Sequence, residues 1–277
     1  MPTNREAYFE AVKLGVPKAV VDFALKEVNG FDYLGLTRRF DEELEKYDSF
    51  KQAIKRYLNG EMIEYVFNKT YFLSLPFFVD KSVLIPRQET EQLVLRTKQL
   101  VEEMFGERKL NIADVCCGSG AIGLSLKKEL PQHSFYLSDI SKEAIRVSKI
   151  NAKRLNLETD ITFLEGDMIE PFLGKGLKLD VIVCNPPYIA NEKTIDKRTW
   201  DEEPHLALLA NPDTKFYESL LLKAKEILDN PFLIAFEIGE DMEKSLRALL
   251  NKYCSDGDFF FEKDIYGKTR FLFIKHQ

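Results

Sequence analysis

The run Asn185-Pro186-Pro187-Tyr188 carries the clearest chemistry in the chain. The lone pair of an amide or aromatic amine nitrogen is delocalised, so a site that alkylates it must hold the NH2 group and aim it at an electrophilic methyl. Two acceptors suffice: the Asn185 side-chain oxygen and the Pro186 carbonyl can each take one N–H. The prolines fix φ and preorganise these acceptors, and Tyr188 can cover a planar group from one side. A given four-residue string arises by chance roughly 0.002 times in a chain this long, so the run is a specific signal. The alternative is a strand-ending turn with Tyr188 in the core.

A second constellation precedes it. In Cys116-Cys117-Gly118-Ser119-Gly120-Ala121-Ile122-Gly123 the glycines spell GxGxxG, and Asp139 lies 19 residues beyond Gly120. Glycines after a strand let a cofactor approach the backbone at a helix N-terminus, and an acidic side chain ending the next strand can accept both ribose hydroxyls. The pair points to an adenosine-type cofactor. A ligand-free turn would also use the glycines, and Asp139 beside Ser141 could simply cap a helix. Cys116 stands where many such loops have Gly, and a buried, inert thiol is expected there rather than a nucleophile.

These loops need a framework. From Leu110 the pattern alternates: a strand ending at residues 114–115, a helix to about Leu130, the strand 134–140, the helix 141–157, the strand 161–167 and the buried run 179–184. The helix 216–228 and the strand 232–239 continue the order. This predicts a mostly parallel α/β sheet wrapped by helices, with residues 181–184 running straight into Asn185, at the strand end where such sheets place their sites. Residues 259–267 and 269–276 read as a closing antiparallel hairpin. Three apolar stripes in the first 60 residues predict a small helical bundle. The expected domains are a helical substrate-recognition domain over 1–62, a β-hairpin linker over 63–86 and a catalytic domain over 87–277, with a helix at about 89–105.

The 277 residues carry 39 Lys and Arg against 45 Asp and Glu, a net charge of −6. That balance disfavours non-specific binding to a phosphate backbone. The four cysteines, Cys116, Cys117, Cys184 and Cys254, have neither metal-ligand spacing nor a disulfide pattern. No signal-peptide or membrane-spanning run is visible, so a cytoplasmic protein without membrane attachment, metal or direct DNA binding is expected, and a monomer. His133, His205 and His276 are expected to be surface or packing residues.

The Gly loop, Asp139 and NPPY together resemble the class I S-adenosylmethionine-dependent methyltransferases that alkylate amide or exocyclic nitrogen. Residues 84–91, LIPRQETE, look like the IPRxxTE signature of the release factor glutamine methyltransferases. So do EEP at 202–204, FEIG at 236–239 and KDIYGKTR at 263–270. The resemblance implies a Rossmann-like class I methyltransferase sheet behind a helical domain. It also implies methyl transfer from S-adenosylmethionine, leaving S-adenosylhomocysteine, to the amide nitrogen (N5) of the Gln in the GGQ motif of class 1 release factors. Cys116, Cys117, Gly118, Ser119 and Gly120 would then line the methionine part of the cofactor, Asp139 the ribose, and Asp167 with Met168 the adenine. Asn185, Pro186, Pro187 and Tyr188 would hold the glutamine, with Asn185 also beside the cofactor. Arg87, Thr90 and Glu91 match the signature; they would brace the linker, or Thr90 and Glu91 would cap a helix. Related alternatives are glutamine methylation of a large-subunit ribosomal protein and adenine-N6 methylation of nucleic acid. The Thr90-Glu91 pair favours release factors. A nicotinamide-dependent dehydrogenase would share the Gly loop but leave NPPY unexplained, as would a catalytically silent scaffold.

Overall fold

The computed structural model describes residues 1–174, 176–254 and 258–276, grouped into two compact units. The first contains residues 1–69 together with the short helix Lys197–Glu202. Its helices are α1 (Asn4–Lys13), α2 (Lys18–Asn29), α3 (Tyr33–Arg38), α4 (Tyr47–Leu58) and α5 (Ile63–Phe67). Thr3 starts α1 with a reciprocal capping box to Glu6, and Gly30 stops α2 in the left-handed conformation. Ala7, Ala11, Val21, Leu25, Phe50 and Ile54 form its core. Four helices thus lie in the first 60 residues, where three were expected, and α5 follows. Residues 63–67 are helical rather than the start of a hairpin: their β-branched and aromatic character reflects burial of Ile63 and Tyr65, and Asn68 ends the turn at φ 48°.

The second unit opens with the hairpin β1 (Thr70–Phe72) and β2 (Leu75–Phe77), then α6 (Gln88–Phe105), β3 (Asn111–Val115), α7 (Ala121–Glu129), β4 (Ser134–Asp139) and α8 (Lys142–Arg154). It continues with β5 (Ile161–Glu165), β6 (Leu179–Cys184), the helix α9 (Lys197–Glu202) that groups with the first unit, α10 (Lys215–Ile227), β7 (Leu228–Glu237), α11 (Glu243–Tyr253), β8 (Asp258–Lys263) and β9 (Thr269–His276). The seven-stranded sheet runs β5-β4-β3-β6-β7-β9-β8; β9 runs against the other six strands, so the β7–β9 and β9–β8 pairs are antiparallel and the remaining pairs parallel. The mostly parallel sheet and its antiparallel end agree with the sequence; α9 and α11 were not legible there.

Side-chain alternation divides the sheet into two apolar faces. Val181 and Val183 of β6 pack with Leu93, Leu124 and Ile145 on one side, while Ile182 and Cys184 pack with Tyr217, Leu220 and Leu246 on the other. Both faces of β6 are apolar, as a central parallel strand requires. The chain moves outward from β3 through β4 and β5 and resumes at β6 on the opposite side of β3. Such a reversal opens a crevice at the carboxyl strand ends. The register pairs Val115 with Cys184, which brings the loops that follow them, starting at Cys116 and Asn185, side by side.

Candidate active site

The loop after β3 is shaped by its own backbone. Cys116 adopts φ 60° and Gly118 φ 53°, both in the left-handed region, so a cysteine takes at 116 a conformation that favours glycine. A Cβ on Gly118 would meet nothing within 4 Å, whereas one on Gly120 would lie 2.9 Å from Ser148 Cβ. The first glycine therefore leaves open space for a ligand and the second permits helix packing. The Asn151 amide donates to Ser119 O and Phe78 O, both at 2.9 Å, tying the loop to α8 and to the end of the hairpin. Burial pushes the Cys117 and Cys184 thiols well up, so neither is a thiolate nucleophile.

Asp139 is tied into the backbone of two loops and also lines the adjoining cavity. Its Oδ1 accepts the Ser141 N–H and its Oδ2 the Gly118 N–H, both at 2.9 Å, while Ser141 itself caps α8. Burial raises its pKa and the backbone N–H groups of Ser141, Gly118 and Ile140 pull it back. Each carboxylate oxygen keeps a second lone pair, and Asp139 lines the adjoining cavity.

Beneath NPPY lies a buried polar network that the sequence did not disclose. Thr90 Oγ1 donates to Glu237 Oε2 at 2.6 Å, and Asn185 Nδ2 donates to Thr90 Oγ1 at 3.4 Å. The Tyr188 hydroxyl lies 3.4 Å from Glu237 Oε1, and Tyr217 donates to the Glu237 carbonyl at 2.8 Å. Burial, and then the neighbouring Glu237 charge, push the Tyr188 phenol up to about 12, so it stays a donor. Burial raises the Glu237 pKa, which the Thr90 hydroxyl and the Arg270 guanidinium oppose.

The two loops share one cavity of about 230 Å³. Cys116, Gly118, Asp139, Asp167, Met168, Asn185 and Pro187 line it together with Ser82, and Val83, Leu84, Leu206 and Phe216 form apolar walls. Cys117, Ser119, Gly120, Pro186 and Tyr188 are not in that lining. Cys117 Sγ faces Ser148 Oγ at 3.9 Å, and Tyr188 packs against Gly239 and reaches Glu237. Met168 lies with its Sδ 3.5 Å from Cys116 Sγ. Among the described residues no cluster of His, Cys, Asp and Glu could hold a metal, and no helix is long and apolar enough to cross a membrane.

The signature around residues 84–91 resolves into separate contacts. Arg87 pairs with the buried Glu203, whose Oε1 also accepts the Ile85 N–H at 3.1 Å. Glu91 accepts the Leu73 N–H at 2.8 Å, holding a hairpin turn in which Leu73 and Ser74 both have positive φ. Thr90 caps nothing and points to Glu237 instead. The only sequence signal for Glu203, Glu237 and Arg270 was their place in matched motifs. His133 is buried, its Nδ1 accepting the Leu110 N–H at 3.2 Å, and burial lowers its pKa.

Comparison with known proteins agrees with this geometry. Residues 91–202 match the family model "Methyltransferase small domain". A release factor glutamine methyltransferase from Bacillus anthracis is 36% identical over 246 residues, covering 87% of this chain and 86% of its own. One from Mycoplasma mycoides is 34% identical over 269 residues, covering 95% and 94%. The chain belongs to the release factor glutamine methyltransferase family. At the level of fold, a methyltransferase from Pyrococcus furiosus aligns with TM-score 0.52 and 15% identity over 73% of this chain and 89% of that one. The family's methyltransferase fold is therefore the Rossmann-like sheet described above.

Proposed function

We propose that the chain transfers a methyl group from S-adenosylmethionine to the side-chain amide nitrogen of the glutamine in the GGQ motif of class 1 release factors. The observation that carries the reading is the cavity shared by the Gly118 loop, Asp139 and Asn185, in a chain whose relatives bear that activity in their names. The cofactor supplies an electrophilic methyl on a sulfonium. In this reading Cys116, Gly118 and Met168 cradle it, Asp139 takes the ribose hydroxyls on its remaining lone pairs, and Asp167 faces the adenine. Asn185 Oδ1 and the Pro186 carbonyl each accept one N–H of the glutamine amide, which aims the nitrogen lone pair and lowers the barrier by orientation. Pro187 and Tyr188 stiffen and back the loop. No strong base is required, because the amide proton becomes acidic only as the methyl bond forms.

The reading has the chain act as a monomer in the cytoplasm, without DNA. The deciding experiment incubates the protein with labelled S-adenosylmethionine and, separately, unmodified release factor, large-subunit ribosomal protein and DNA. Label on the GGQ glutamine, located by mass spectrometry, is the expected result; label confined to ribosomal protein or adenine would replace it.

A further inference from the structure

We infer that Thr90 and Glu237 are positioning residues that fix the Asn185 amide with its nitrogen toward the sheet and its oxygen toward the cavity. The inference rests on the proposed grip of Asn185 on a substrate amide and explains how that grip acquires its polarity. A carboxamide presents an acceptor at one end and donors at the other, and a half-turn about its last torsion exchanges them. Only the acceptor end can hold an N–H of the glutamine, so a site that leaves the choice open wastes half of its encounters.

The network removes the choice. The Thr90 hydroxyl has one proton and donates it to Glu237 Oε2 at 2.6 Å. Towards Asn185, 3.4 Å away, Thr90 Oγ1 then offers only lone pairs. The end of Asn185 that faces it must be the NH2. In the planar amide Oδ1 diverges from Nδ2 by about 120°, which leaves Oδ1 as the end available to the cavity that Asn185 lines. A reversed amide would oppose Oδ1 to the Thr90 lone pairs and present N–H to N–H at the substrate. Glu237 can direct this relay because its other oxygen meets a second donor, the Tyr188 hydroxyl, and the Arg270 guanidinium lies close by with Nη1 on the Ile238 carbonyl at 3.3 Å.

Thr90→Val keeps the side-chain shape and deletes the hydroxyl, while Thr90→Ser keeps the hydroxyl. With labelled S-adenosylmethionine and unmodified release factor, Thr90→Val should lower kcat about tenfold or more and change KM for release factor and cofactor Kd less than about twofold. Thr90→Ser should restore at least about half of kcat, since the same bonds can form. Asn185→Asp keeps an oxygen toward substrate and loses the donor toward Thr90, so it too should lose about tenfold or more. Wild-type kcat in Thr90→Val, or equal losses in Thr90→Val and Thr90→Ser, overturns the assignment. Should Thr90→Val fail to bind cofactor because it does not fold, wild-type kcat in Asn185→Asp overturns it instead. A wild-type chain that binds cofactor yet labels no release factor sinks the underlying reading, and the relay with it; an active wild type matched by Thr90→Val sinks the relay alone.

Discussion

The Thr90 hydroxyl sits 2.6 Å from the Glu237 carboxylate although 147 positions separate the two residues in the chain. The contact joins the first turn of α6 to the last residue of β7 directly under the NPPY loop. The loop is therefore held from below by side chains of two other elements, and its cavity-facing groups are free for a ligand. A buried polar network of this kind rigidifies when every member is satisfied and is costly when one is missing.

The grip itself is tested at Asn185. Asn185→Ala should lower kcat about 10²-fold or more, on the order of 3 kcal/mol, because a preorganised contact to the reacting group is lost. Steady-state turnover with release factor is the measurement, with cofactor binding as the control for folding. Near-wild-type turnover by a variant that still binds cofactor would reject the role.

That prediction follows from four adjacent letters, and much of the site was legible for the same reason. The Gly loop and NPPY are contiguous, and the β3–β6 register that joins them follows from the alternation of strands and helices. Thr90, Glu203, Glu237 and Arg270 were different: each acts through a partner on another element, and periodicity says nothing about which distant polar groups meet. Asp139 was undecided between ligand and cap because the same carboxylate can face the cavity and accept two backbone N–H groups. The helix at residues 63–67 was missed because a five-residue segment is too short to separate a turn of helix from a strand.

For Asp139 the two roles can be separated. Asp139→Asn preserves an oxygen for one backbone N–H but removes the charge, whereas Asp139→Ala removes both. Both variants should weaken S-adenosylhomocysteine binding in calorimetry, Asp139→Ala by about tenfold or more, since hydrogen bonds to a charged acceptor contribute roughly 1.5–3 kcal/mol. Unchanged affinity in Asp139→Ala would leave Asp139 as an acceptor for the Gly118 and Ser141 N–H groups alone.

Asp114, at the end of β3, predicts a pH dependence of stability. Its Oδ2 accepts the Gly123 N–H at 2.8 Å, but burial raises its pKa from 3.8 to about 7. The folded state thus binds the proton more tightly than the unfolded chain, so this group's stabilisation is complete below the unfolded pKa and is lost as pH rises to about 7. Between about pH 5.5 and 8 the loss is on the order of 2 kcal/mol. Denaturant unfolding at the two pH values should show Asp114→Asn losing less stability than wild type over that interval. A residual slope is expected, because the pKa values of Asp139 and Glu237 are also raised. Equal slopes in wild type and variant would mean that Asp114 does not hold the proton.

Two glycines of the same motif should fail in different ways. At Gly123 an added Cβ would lie 2.9 Å from both Asp114 Oδ2 and Leu137 Cδ1, inside the core, so Gly123→Ala must displace packed atoms. Overpacking of this kind costs about 1–3 kcal/mol, which should appear as a lower denaturation midpoint. At Gly118 an added Cβ meets open space beside the cavity, and the cost is the φ of 53°, about 1 kcal/mol for a non-glycine residue. If the cofactor backbone passes over Gly118, that methyl group occupies its path. Gly118→Ala should therefore lose more cofactor affinity than Gly123→Ala while unfolding at the higher denaturant concentration. The reverse ranking in calorimetry would move the ligand away from the glycine loop.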